Sequence, residues 1–133
     1  MKDHYDSETL RTLVEYRMNR AKETLEEARY NADGGYFNAA VNRLYYACFY
    51  AALALLHSNS IEANSHKGVK IMMGLHFINT GKLEKKYGGI YQQLFNSRNA
   101  GDYDDFVYCD REMYEALEPK AKEFVLRISS LLN

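Results

Sequence analysis

The chain has 133 residues, a length that fits one domain spanning 1–133. Hydrophobic residues make up 47% and charged residues 26%, enough apolar matter for one core and too much for a disordered chain. A net charge of -1 excludes a globally basic nucleic-acid surface but leaves a local basic patch open.

The two cysteines, Cys48 and Cys109, each sit in an apolar stretch, which points to reduced thiols rather than a disulfide scaffold or zinc site. The opening MKDHYDSETL has no apolar signal core, and no run of about 18 apolar residues occurs. A cytoplasmic chain with no membrane span is therefore expected. Twelve tyrosines and no tryptophan are present, so several buried hydroxyls will need partners.

One proline, Pro119, and glycines confined to breaks favour long helices. The spacing predicts a first helix over 7–30, with Ser7 as N-cap. Its apolar stripe is Leu10, Leu13, Val14, Ala21, Leu25 and Ala28, and Arg17 falls on the same stripe. Asp33-Gly34-Gly35 stops it. A second helix over 36–58 is apolar on nearly all sides, which marks a central helix. Its alanines let neighbours approach closely, and Arg43 is its only full charge. A third helix is expected over 65–79. A fourth spans 82–97, with Gly88-Gly89 a candidate interruption. Residues 99–105 form a polar break, and a last helix spans 107–132 with a kink or new start at Pro119. The expected fold class is all-α, an antiparallel up-down bundle of four to five helices.

Chemistry concentrates at two arginines. Arg43 carries a guanidinium inside a packed helix, where an unpaired charge is costly. Two readings stand for it: a structural pair with Glu15 or Asp102, or an anion-binding or dimer-interface arginine. Arg98 follows Tyr91, Leu94 and Phe95 on one face and ends a helix, where the dipole favours a cation. After it come Asn99, Asp102, Tyr103, Asp104 and Asp105. An arginine so placed can clamp a phosphate, while the acids can equally cap the last helix. His66, in Ser65-His66-Lys67-Gly68, opens the third helix, where backbone donors favour anions or the side chain takes a surface capping role. His57, His66 and His76 lack metal-ligand spacing, so neither metal nor cofactor is expected. Cys48 reads as a core residue and Lys82, Lys85 and Lys86 as a solvated face.

Four segments together resemble the HEPN family (higher eukaryotes and prokaryotes nucleotide-binding). They are Arg20-Ala21-Lys22-Glu23-Thr24-Leu25, the stretch 36–49 with Tyr36, Ala39, Arg43, Tyr45, Tyr46 and Phe49, then Ser65-His66-Lys67-Gly68, and Arg98-Asn99-Ala100-Gly101-Asp102-Tyr103. The chain looks like the small stand-alone prokaryotic branch, often encoded beside a minimal nucleotidyltransferase. The resemblance implies a helical bundle that pairs as a homodimer and binds RNA or nucleotide. Active members are metal-independent ribonucleases that use an arginine, the polar residue beside it, and a histidine about five residues on. Arg98 and Asn99 match the first two positions, and Tyr103 stands in the third. Histidine titrates near neutrality, whereas tyrosine has a pKa of about 10, so Tyr103 is a poor general base without help from Asp102 or Asp104.

The resemblance thus assigns catalysis to Arg98, Asn99 and Tyr103. Phosphate binding falls to Arg98, Arg43 and His66, with Asp102 and Tyr46 in support. It also makes Tyr103 a candidate for adenylylation by the partner, with Tyr108 as a second candidate. The expected function is the toxin-like part of a toxin–antitoxin module with weak ribonuclease activity. The alternatives are a non-catalytic dimeric interaction module and a nucleotide-binding sensor.

Overall fold

A computed structural model describes residues 6–98 and 109–132. Among them are α1 (Ser7–Asp33), α2 (Phe37–Ser58), α3 (His66–Met73), a π-helical turn (Gly74–Ile78), α4 (Lys85–Ser97) and α5 (Arg111–Leu132). The described residues contain no strand, so the chain is all-α as the spacing predicts.

Sequence chemistry sets the helix ends. Asp6, not Ser7, caps α1: its carboxylate accepts the Thr9 amide at 2.7 Å. The helix runs one turn past the expected end, and Gly35 then takes φ +85, the left-handed geometry that glycine adopts without steric cost. Ser65 caps α3 by accepting the Gly68 amide at 2.9 Å. The third helix is not one α-helix over 65–79, because after Met73 it loosens into the π-turn, closed by Asn79 N–H on the Gly74 carbonyl. Gly88-Gly89 do not interrupt α4; Gly88 instead lies opposite Ile78, where a methyl group would sit in ordinary contact at 3.5 Å. Nor does Pro119 break α5. It is exposed, so the bonding partner that the ring denies to the Glu115 carbonyl can be replaced by water.

The three-residue turn after α1, Gly34-Gly35-Tyr36, folds α2 back against it. Fully buried Ala21, Ala28 and Ala32 on α1, with Ala40, Ala47, Ala51 and Ala54 on α2, let this pair pack extensively. The chain then rises and falls again. Tyr91 and Arg98 of α4 meet Tyr45 and Asn42 of α2 in antiparallel order. Arg127 and Lys120 of α5 meet Glu84, just before α4, and Gln93 of α4, also antiparallel. α5 closes the up-down bundle, its Tyr114 beside Phe37 and its Ala121 carbonyl beside Cys48. α2 is the central helix, and burial pushes its Cys48 thiol far up. By length and composition α2 could also cross a membrane, contrary to the sequence expectation. Yet 67% of its apolar window is buried within the bundle, as suits a core helix.

Candidate phosphate site

The α2 sequence places Arg43, Tyr46 and Tyr50 along one face at i, i+3 and i+7, with Tyr45 and Phe49 beside them. Tyr45 turns fully inward, whereas Tyr46, Phe49 and Tyr50 are half-buried. The loop after α2 returns the chain along this helix, and α3 starts against its middle. His66 is the first residue of α3, and Ser65 does the capping. Freed from that task, the imidazole packs inward rather than taking a surface role. Its ring centre lies 4.5 Å from that of Phe49, 5.5 Å from Tyr46 and 5.6 Å from Tyr45. His66 Nδ1 is 2.8 Å from the Tyr45 hydroxyl and Nε2 is 3.5 Å from the Tyr46 hydroxyl. Tyr45 in turn lies 3.5 Å, hydroxyl to hydroxyl, from Tyr91 of α4.

Arg98 ends α4 over the same cluster. Its guanidinium carbon is 4.7 Å from the Phe95 ring centre and 5.5 Å from that of Tyr45. Its Nε is buried without a hydrogen-bond partner, and no carboxylate among the described residues pairs with it. The chain is anchored here by Asn42, which donates to the Arg98 carbonyl at 3.2 Å. Burial first, and the Arg98 charge second, lower the His66 pKa from its ordinary 6.5. The imidazole is therefore neutral at pH 7. Burial pushes the Tyr45 and Tyr91 hydroxyls up, so both stay protonated.

Arg43 stands at the edge of the cluster, 4.8 Å above the Tyr46 ring. The partner expected in Glu15 is instead Glu27, at 3.5 Å, together with the Asn42 side chain at 3.2 Å. The reason is topological: the antiparallel α1–α2 hairpin brings the end of α1, not its start, beside the first turns of α2. Glu27 also pairs with Arg20, which stacks on Tyr50 at 5.4 Å. Lys70 of α3 stacks on Phe95 at 4.9 Å. Four cations thus ride on aromatic faces of this cluster. Arg43 and Arg20 share the Glu27 carboxylate, and Arg98 and Lys70 have no carboxylate partner among the described residues, which leaves those two charges for an anion. The chain's charge of -1 conceals this local patch.

The structure brings together Arg43, Tyr46, His66 and Arg98 from the sequence-derived site. Asn99, Asp102 and Tyr103, with the alternative Tyr108, lie outside the described residues. So does Asp102 as the second proposed partner of Arg43. Sequence reasoning missed Tyr45 as the residue joining His66 to Arg98. The signal was there in the adjacent pair Tyr45-Tyr46, two and three positions after Arg43, but strict helical spacing could not say which ring faces inward. A groove of about 640 Å³ between the start of α1 and the ends of α2 and α5 lies at the opposite end of the bundle.

The described residues form an up-down helical bundle in which Arg98 lies on an aromatic cluster with no described carboxylate partner. The HEPN domain model matches residues 14–131, and the chain belongs to the HEPN family. It is 34% identical over 121 residues to a Thermotoga maritima UPF0332 protein, covering 91% of this chain and 92% of that one. It is also 34% identical over 126 residues to a Methanocaldococcus jannaschii protein named "Putative toxin MJ0605", covering 95% and 90%. A second protein of that organism, "Putative toxin MJ0142", is 29% identical over 119 residues, covering 90% and 81%.

Proposed function

We propose that this chain is the toxin-like HEPN component of a two-protein module whose partner is a minimal nucleotidyltransferase. In this reading it is a cytoplasmic homodimer that grips RNA or nucleotide phosphate at Arg98 and cuts RNA weakly without metal. One observation carries the reading. Arg98 is held on Phe95 and Tyr45 with a buried Nε that has no hydrogen-bond partner, and no carboxylate among the described residues neutralises it. A cation so placed offers its outer nitrogens to a phosphate, the anion whose geometry a guanidinium fits best. Arg43 supplies a second positive charge across Tyr46. Two HEPN-family relatives named as toxins lend the module its sign.

The test uses a labelled unstructured RNA. Arg98→Ala should weaken binding about tenfold or more, the worth of a charge-assisted hydrogen bond. It should also abolish cleavage in EDTA. Equal binding and equal cleavage by the two proteins would remove Arg98 from the site. A second reading, a non-catalytic dimeric interaction module, is favoured by Tyr103 standing in the histidine position. It predicts no turnover but stable co-elution with the nucleotidyltransferase. A nucleotide-binding sensor predicts saturable heat of binding with ATP instead. Tyr103, ahead of Tyr108, is the residue that the partner would adenylylate.

A further inference from the structure

We infer that His66 is the proton acceptor in a transesterification that cuts unpaired RNA beside Arg98. This rests on the RNA reading above and assigns the chemical step to a residue on a different helix from the Arg98–Tyr103 segment.

The geometry of the ring carries the inference. A histidine that merely fills a gap needs neither nitrogen directed, yet here both are. On one side Nδ1 meets Tyr45 at 2.8 Å, and Tyr45 is fully buried with Tyr91 behind it. That side is an internal chain of two buried hydroxyls. The inner contact can be made with Nδ1–H donating to the Tyr45 oxygen and the Tyr45 hydroxyl directed at Tyr91, and in that tautomer the lone pair lies on Nε2. On the other side Nε2 has only a long contact, 3.5 Å, to the half-buried Tyr46. In that tautomer the inner nitrogen is engaged and the outer one is available, which is what a general base requires.

The surroundings agree with this role. The titratable or charged groups around the ring are Tyr45 and Tyr46 from α2 and Arg98 at the end of α4, with Arg43 behind Tyr46, Tyr91 behind Tyr45, Lys70 of α3 on Phe95 and Arg20 of α1 on Tyr50. No described carboxylate is among them, so nothing there raises the imidazole pKa. Burial and Arg98 lower it, and the ring stands ready in its basic form. Arg98 rests on the same Tyr45 ring as His66 does, and its charge is felt at the imidazole, which places both beside one candidate phosphodiester position.

The step balances without a co-reactant. His66 Nε2 takes the proton of a ribose 2′-hydroxyl. The 2′-oxygen bonds to the adjacent phosphorus, and the bond from phosphorus to the 5′-oxygen breaks. The leaving 5′-oxygen takes a proton from the imidazolium or from water. Arg98 holds the non-bridging oxygens as their charge builds. The products are a 2′,3′-cyclic phosphate and a 5′-hydroxyl. The substrate in this inference is unpaired RNA, whose phosphodiester can enter beside Arg98 while its bases splay apart.

The experiment follows cutting and binding of a labelled unstructured RNA in EDTA, with the full chain. His66→Asn should cut at least about 100-fold more slowly, the range of general-base catalysis, with an affinity loss no greater than about threefold. Imidazole added to His66→Ala should restore part of the rate. A wild-type pH profile decides even if both variants fold poorly. With His66 as base, the rate falls as pH drops through the lowered imidazole value and is flat by about pH 8. With a tyrosine as base, it climbs towards about pH 10. Products with cyclic ends, and none from 2′-deoxy RNA, are required. Wild-type cutting by His66→Asn, or a rate that climbs to pH 10, overturns the inference and leaves the phosphate site intact. Tight binding without any cutting does the same. Loss of both binding and cutting in wild type sinks the RNA reading itself.

Discussion

Glu118 is the one buried carboxylate among the described residues, and it shows how this bundle tolerates charge. It accepts from Arg29 through two nitrogens and from the Tyr114 hydroxyl at 2.8 Å. Burial pushes its pKa up, but the Arg29 and Tyr114 hydrogen bonds outweigh that and leave it below 4.5. A depressed folded value means that the ionised group contributes stability above its unfolded pKa. That contribution disappears as pH falls through the folded value. We expect Glu118→Gln to cost about 2 kcal/mol at pH 7, since charge-assisted bonds are lost. The difference from wild type should shrink towards zero by pH 3. Urea melts at the two pH values check this, and an equal gap at both would show that the charge is not the stabilising feature. Arg98 has no such carboxylate partner among the described residues, and that contrast is what marks it for a ligand.

The caps and glycines of single elements decide where the site residues stand. In Ser65-His66-Lys67-Gly68 the Ser65 hydroxyl accepts the Gly68 amide, and a Cβ at Gly68 would lie 3.0 Å from that oxygen. Glycine is thus the residue that leaves the cap room, at a cost in helix propensity of ~1 kcal/mol. Ser65→Ala should destabilise the chain by about 1 kcal/mol, read from a thermal melt. No change would show that α3 is held by packing alone. The elements themselves were largely legible from the sequence, because apolar spacing and glycine stops specify helices directly. What was not legible had physical reasons. The π-turn leaves no mark in an apolar stripe. Pro119 was read as a break because its surface position depends on tertiary packing. Arg43 was given Glu15 because spacing says which face a residue occupies, not which helix end lies across from it. The arginines and His66 were legible as candidates, whereas Tyr45 emerged only when three helices met.

At the scale of the whole molecule, α2 organises everything. It touches α1, α3, α4 and α5, and it carries Arg43, Tyr45 and Tyr46. Its fully buried alanines keep α1 close, so there is no space for larger side chains. Ala51→Leu should therefore cost about 1–3 kcal/mol by overpacking and lower the melting temperature. A neutral or stabilising result would mean that the α1–α2 contact has slack. The π-turn has a different consequence, for how the chain can change length. A residue gained or lost inside an α-helix rotates everything beyond it by about 100°. In α1, α2 or α5 that would swing half of a core face into water. The turn at Gly74–Ile78 already holds the extra residue of a wider coil. One deletion there can be absorbed by tightening to α-geometry, with His66 still against Tyr45 and Leu83 still in the core. It is the point in the bundle where descent can add or remove a residue within a helix without disturbing the site.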